Sequence, residues 1–244
     1  MAAVIEVKDL HFQYEDGTKA LDGINFTLHA GETVAVLGPN GSGKTTFVLH
    51  LNGILQGKGT VVICGMPVAK ETLPAIRSKV GLVFQDADEQ LFMPTVLDDA
   101  AFGPLNQGLT RQEAICKATD SLELVGIAQL AGKAPYHLSA GEKRRAALAG
   151  VLAMEPEILV LDEPTTFLDP VAQRNLLRLL RELPQAKLIV THDVNFASAL
   201  ADRAIFFERG LLVADGPINE VVAKFDWGYP PPADALRYSA QRRF

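Results

Sequence analysis

Apolar and polar residues alternate from Val4 to Tyr14 and again from Leu21 to Leu28. That period of two predicts two half-buried strands, and Asp16-Gly17 between them is a turn signal, so the chain opens as antiparallel sheet. After a second turn at Ala30-Gly31-Glu32 the pattern changes. Thr33-Val34-Ala35-Val36-Leu37 is almost wholly apolar and rich in β-branched residues, which predicts a strand covered on both faces. Val61–Cys64, Val80–Phe84, Ile158–Leu161 and Lys187–Thr191 read as further short strands, and Ile205–Phe207 with Leu211–Ala214 flank Arg209-Gly210 as a hairpin. Thr46–Leu51, Thr95–Val125, Glu142–Met154 and Val171–Leu183 read as helical. Inside the second of these, Thr110-Arg111-Gln112-Glu113 has capping-box spacing, and Ala114, Ile115, Ala118, Leu122 and Val125 follow at helical intervals. Strands alternating with helices predict an α/β fold with a mainly parallel sheet.

The junction between the buried strand and the first helix carries the chemistry. Gly38-Pro39-Asn40-Gly41-Ser42-Gly43-Lys44-Thr45 fits the G-x-x-x-x-G-K-[ST] phosphate-binding loop without mismatch, and Thr46 continues it into the helix. Gly41 and Gly43 lack a Cβ, so the backbone can curl and aim successive N–H groups at a polyphosphate. Lys44 adds a full charge near the β- and γ-phosphates, and the Thr45 hydroxyl suits Mg²⁺. A second acidic junction lies at Ile158-Leu159-Val160-Leu161-Asp162-Glu163, where an apolar strand delivers two carboxylates to its carboxyl end. Ligands of α/β sheets sit at that edge. Asp162 there suits the same Mg²⁺, and Glu163 is placed to act as general base on a water attacking the γ-phosphate.

Bulk properties narrow the partners. The chain has 244 residues, 48% of them apolar, enough for one large α/β domain. A net charge of −6 argues against nucleic acid as the main partner, and Arg237, Arg242 and Arg243 read as a solvated tail. Cys64 and Cys116 show neither disulfide nor metal-ligand spacing and are expected to be small buried hydrophobes in a reducing compartment. Met1 to Leu10 is too charged for a signal peptide. The longest apolar run, Ala146 to Met154, falls well short of the ~20 residues that span a bilayer, so work at a membrane requires docking onto something that crosses it.

Leu138-Ser139-Ala140-Gly141-Glu142-Lys143-Arg144-Arg145 precedes the acidic strand, which ends Asp162-Glu163-Pro164. With these residues the chain resembles the ATPase subunits of ABC transporters, whose LSGGQ-like signature stands upstream of an apolar run ending Asp-Glu-Pro. The other elements are in order: Gln85 matches the Q-loop, Leu168-Asp169 the D-loop, Thr191-His192-Asp193 the switch histidine, and Tyr14 the aromatic that stacks on adenine. The resemblance runs from about Val4 to Val222. Gln85-Asp86-Ala87-Asp88-Glu89-Gln90-Leu91-Phe92, with Thr95-Val96 and Ala101-Phe102-Gly103-Pro104, narrows it to the energy-coupling-factor and cobalt-importer branch.

This resemblance implies a P-loop core with an N-terminal antiparallel β subdomain and a helical signature subdomain at about residues 90–155. The cassette spans 1–225 and a tail 226–244. It implies ATP and Mg²⁺ as cofactors, with Thr45, Gln85 and Asp162 about the metal and Glu163, His192 and Gln85 as catalytic residues. It implies a homodimer or heterodimer in which Ser139 and Gly141 meet the γ-phosphate held by the neighbour, with Asp169 as helix cap and dimer contact. A transmembrane transmitter subunit, touched by a short helix after Gln85, and a substrate-binding membrane component complete the assembly at the cytoplasmic face of the cell membrane. The implied activity is ATP hydrolysis driving import of a transition-metal cation, cobalt or nickel; a vitamin importer and a soluble ABC ATPase are the alternatives. Two departures carry expectations. Ala87 replaces a usual Pro, which relaxes the local turn, and Ala140 replaces a usual Gly, whose added methyl restricts φ or crowds the phosphate.

Overall fold

The computed structural model describes residues 2–227. Its core is a six-stranded sheet built from β3 (Thr33–Leu37), β6 (Val80–Val83), β7 (Ile158–Asp162), β8 (Ala186–Val190), β9 (Arg203–Glu208) and β10 (Leu211–Pro217), in the order β10-β9-β3-β8-β7-β6. Only the β9–β10 hairpin is antiparallel; the other pairings are parallel. Strands β6, β7 and β8 are buried at every position, as runs such as Ile158-Leu159-Val160-Leu161 require when layers cover both faces.

A second, antiparallel sheet, ordered β2-β1-β4-β5, comprises β1 (Ala3–Gln13), β2 (Lys19–His29), β4 (Lys58–Ile63) and the two-residue β5 (Met66–Pro67). Its inward residues Ile5, Leu10, Ile24 and Leu28 pack with Phe47 and Phe207 against one face of the parallel sheet. Phe47 leads the packing of α1 (Lys44–Leu51), with its ring 5.6 Å from Phe26 and 5.3 Å from Phe207. A short α2 (Leu73–Lys79) leads into β6.

The helical region predicted from Thr95 to Val125 is two helices, α3 (Val96–Asn106) and α4 (Arg111–Leu124). Thr110 ends the first run because its side chain caps the second, and the capping box with Glu113 is formed. Helix α5 (Ala140–Leu152) lies beside them, and its buried Ala146, Ala147 and Ala149 allow close packing. The amphipathic α6 (Pro170–Glu182) lays Leu176 and Leu180 on the same core. Two seven-residue helices, α7 (Val194–Leu200) and α8 (Ile218–Lys224), escape the periodicity because they are too short to display it.

The expectation of two buried cysteines is corrected: Cys116 is exposed on α4 and Cys64 is half-buried. Tyr229-Pro230-Pro231-Pro232 and the basic tail lie outside the described residues. Among the described residues, no helix is long and apolar enough to cross a membrane.

Candidate functional site

The carboxyl ends of four adjacent parallel strands, β3, β8, β7 and β6, open on one edge of the sheet. They deliver, respectively, the glycine loop, Thr191-His192, Asp162-Glu163 and Gln85. A cleft of about 460 Å³ at this edge is lined by Tyr14, Asn40, Gly41, Gly43, Lys44, Thr45, Thr46, Gln85, Asp162, Glu163 and His192. Residues as far apart in the chain as Asn40 and His192 thus meet because the parallel register places strand ends side by side.

The glycine loop is built as its composition requires. Gly43 has φ +106°, and a Cβ there would stand 2.4 Å from the carbonyl oxygen of Ala20. Gly38, at φ +135°, does not line the cleft; it lies against the backbone of Phe207, where a Cβ would meet the carbonyl oxygen at 2.2 Å. Ser42 is buried, and its carbonyl accepts from the Gly210 amide at 2.9 Å, so Gly38 and Ser42 anchor the loop to the β9–β10 hairpin. The buried Lys44 folds its ammonium over the loop and donates to the carbonyls of Gly38 at 2.7 Å and Pro39 at 2.9 Å. Burial pulls the Lys44 pKa down, and the charges of Glu163 and Asp162 pull it back up.

Thr45 donates its hydroxyl to Oδ2 of Asp162 at 3.0 Å, across 117 residues of sequence. Burial raises the Asp162 pKa, opposed by the Thr45 hydrogen bond, while neighbouring Glu163 adds repulsion. The folded protein therefore holds the Asp162 proton more tightly than the unfolded chain does. Ionised Asp162 costs stability once pH rises through its folded pKa, and this cost is absent below the unfolded pKa. Asp162→Asn is accordingly expected to melt at a higher temperature than the parent at pH 7 without nucleotide or Mg²⁺, the gap closing as pH falls. Calorimetry that finds it equal or lower at pH 7 contradicts burial as the governing cause.

Glu163 is buried and sits at φ +45°, an uncommon conformation for a residue with a side chain. Its amide donates to the Val190 carbonyl at 2.8 Å. Nδ1 of His192 lies 2.8 Å from its Oε2, and the Thr191 hydroxyl donates to the same oxygen at 3.3 Å. The sequence marks His192 as a catalytic residue and gives Thr191 no role of its own. The structure adds a contact between His192 and the Glu163 carboxylate, with Thr191 as its second support. Thr18, Lys19, Ala20 and Thr166 complete the cleft and carry no sequence signal.

Tyr14, 40% exposed, follows β1; its hydroxyl hydrogen-bonds the Thr46 hydroxyl at 3.0 Å and its ring stands edge-on to Phe12. The aromatic face is thereby held at the cleft wall. Tyr14→Ala is expected to weaken ATP binding about tenfold, the loss of one stacked base, with Tyr14→Phe retaining most of it. Equal affinities for Ala and parent by calorimetry contradict a stacking role.

Ser139, Gly141 and Asp169 do not line this cleft. Gly141 and Asp169 face a separate groove of about 410 Å³ with Leu168 and Val171. Ser139 caps α5, accepting from the Glu142 amide, and donates its hydroxyl to the Glu142 carboxylate at 2.7 Å. This capping box was legible as Ser139-x-x-Glu142 and moves the helix start from Glu142 to Ala140. Ala140 is thus an exposed first helical residue with negative φ, so the expected restriction of φ does not arise. Asp169 caps α6, its carboxylate accepting from the amides of Val171 and Ala172 at 2.8 Å. The short helix expected after Gln85 is a three-residue 3-10 turn, Ala87–Glu89. Asp86 caps it by accepting from the Asp88 amide at 2.9 Å, which holds the turn without a proline.

A glycine loop, a Thr-Asp pair for a cation, a glutamate held by histidine and a platform aromatic define a P-loop nucleoside triphosphatase. A family model described as ABC transporter matches residues 21–166. The energy-coupling factor transporter ATP-binding protein EcfA of Methanothermobacter thermautotrophicus is 50% identical over 245 residues, spanning 96% of this chain and 79% of that one. Among solved structures, CbiO1 from Clostridium perfringens, part of the ABC transporter complex cbiONQ, matches with a TM-score of 0.82 at 35% identity, covering 100% of this chain and 96% of that one. The dimeric post-hydrolysis state of the ATP-binding cassette MJ0796, bound to ADP and Pi, matches with a TM-score of 0.80 at 26% identity, over 88% of this chain and 98% of that one. The chain belongs to the ABC transporter family, as an ATP-binding and ATP-hydrolysing subunit of the energy-coupling-factor branch.

Proposed function

We propose that this chain is the motor of an energy-coupling-factor importer: with a second cassette, a copy or a relative, it closes head to tail on two ATP molecules and drives uptake of a transition-metal cation, cobalt or nickel. One observation carries the dimer: Ser139 and Gly141 lie outside the cleft that Tyr14, Lys44, Thr45, Gln85, Asp162, Glu163 and His192 line. Ser139 opens the 13-residue helix α5, and Ser139 and Ala140 are exposed there. Such an N-terminus favours an anion, and the γ-phosphate in the neighbour's loop is that anion. The dimeric MJ0796 cassette supports the arrangement.

Within the cleft, Lys44 neutralises the β- and γ-phosphates, Gln85 orients the attacking water, and Glu163 takes its proton. His192 and Thr191 fix the Glu163 carboxylate, and the exposed His192 edge reaches toward the γ-phosphate. Thr45 and Asp162 fit Mg²⁺: one hydroxyl and one carboxylate, both hard oxygens, suit an ion that keeps several waters and takes its remaining ligands from phosphate. Among the described residues no cluster of three His, Cys, Asp or Glu competes for it. The ion supplies charge neutralisation of the transferring phosphoryl group.

The docking site for the transmitter subunit is placed at the end of the Gln85 segment. Asp99 accepts from the amides of Phe92 and Met93 at 3.0 Å each, presenting Phe92, 63% exposed, edge-on to exposed Phe102. With Leu105 these rings form an apolar face that water does not favour. Co-expression with the adjoining membrane subunits tests the function. Membrane vesicles are expected to accumulate labelled cobalt or nickel with ATP and to stop with Glu163→Gln. Accumulation of a vitamin instead, or failure of the chain to co-purify with a membrane subunit, contradicts the reading.

A further inference from the structure

Lys143 and Arg144 tie the signature helix to the segment after β6, while Glu142 beside them closes the start of the helix itself. Glu142 turns back and accepts from the Ser139 amide at 2.8 Å. Lys143 reaches forward to Asp88 at 2.6 Å. Arg144, 4% exposed, donates through Nη1 to the Phe84 carbonyl and through Nη2 to the Gln85 carbonyl, both at 2.7 Å. Gln90 adds a long contact to the Ala147 carbonyl on the same helix, at 3.5 Å.

Arg144 is the costly member. Its fork is spent on two neutral carbonyls, and among the described residues no carboxylate lies within ion-pair distance of it. Burial lowers its pKa, opposed by the more distant charges of Asp86, Asp162 and Glu163. An apolar side chain would pack here without that desolvation. The guanidinium does what an apolar residue cannot: it fixes the peptide groups on both sides of Gln85 in a single orientation relative to α5. It does not line the nucleotide cleft.

Ser139 and Gln85 serve different nucleotides in the pair proposed above. Gln85 belongs to the chain's own cleft; Ser139 meets the nucleotide of the neighbour. We propose that Arg144, supported by the Lys143–Asp88 pair, is the positioning residue through which the two nucleotide sites sense each other. When Ser139 closes on the neighbour's γ-phosphate, α5 shifts, and Arg144 carries the Phe84–Gln85 backbone with it, setting Gln85 over the chain's own nucleotide. This rests on the two-cassette reading.

The test is ATP hydrolysis by the full chain across ATP concentration, for the parent, Arg144→Lys, Lys143→Asp and the swap Lys143→Asp with Asp88→Lys. Lysine keeps the charge but has no fork for two carbonyls. The parent is expected to show a Hill coefficient approaching about two, the ceiling for two sites. Arg144→Lys is expected to fall to about one, with kcat down about tenfold for the lost charge-assisted bond and ATP affinity of the single subunit unchanged by calorimetry. Lys143→Asp lowers the coefficient and the swap restores it, a rescue on the surface that decides the matter should Arg144→Lys fail to fold. An Arg144→Lys coefficient equal to the parent's, a swap without rescue, or a parent that pairs on ATP with a coefficient of one overturns the clamp alone. A parent that never pairs on ATP removes the two-cassette reading as well.

Discussion

Glu163→Gln is expected to bind ATP at least as tightly as the parent and to hydrolyse it at least about 100-fold more slowly, the range of a lost general base. The structure argues both halves. Glutamine keeps the size of the side chain, and its amide oxygen still accepts from the Thr191 hydroxyl that now stands 3.3 Å from Oε2. The left-handed backbone at φ +45° and the amide bond to Val190 do not depend on the carboxylate. Only the capacity to take a proton is lost, and with it one negative charge facing the γ-phosphate. Affinity therefore holds or rises while chemistry stops. Calorimetry and phosphate release on the purified chain measure the two; turnover within tenfold of the parent removes Glu163 as the base.

Lys44→Ala is expected to weaken ATP binding about 100-fold, equivalent to one or two charge-assisted hydrogen bonds at about 1.5–3 kcal/mol each. The ammonium holds the loop through the Gly38 and Pro39 carbonyls and offsets the charges of Asp162 and Glu163. Alanine leaves two carbonyls without their donor and two buried carboxylates without their nearest cation. The loop loses its shape and the phosphates their counter-charge together. Undiminished affinity by calorimetry contradicts this account of Lys44.

The parts of this site written contiguously were legible in the chain. The run Gly38 to Thr45 follows a buried strand and opens a helix, so its pattern is readable without distant chain. Asp162 was legible because four apolar residues force a strand and its end must lie at the sheet edge. The Ser139–Glu142 capping box is equally local, because Ser139-x-x-Glu142 carries it within a single helical turn. Other features depend on distant chain. That His192 leans on Glu163 follows from β8 lying beside β7, and pattern alone does not fix strand order. That Arg144 is buried against Phe84 and Gln85 crosses 60 residues. Its place between Lys143 and Arg145 carries no local sign of burial. Cys116 misled for a similar reason: its residue type favours burial, while its place on the outer side of α4 exposes it.

Sedimentation of the Glu163→Gln chain, alone and with Ser139→Arg added, measures most directly whether each pocket is completed by its neighbour. With saturating Mg-ATP, Glu163→Gln should sediment at twice its nucleotide-free mass, and the double variant should remain a monomer while binding ATP with undiminished affinity. A double variant that pairs as tightly as Glu163→Gln alone, or a Glu163→Gln chain that stays monomeric at saturating ATP, would contradict the shared site.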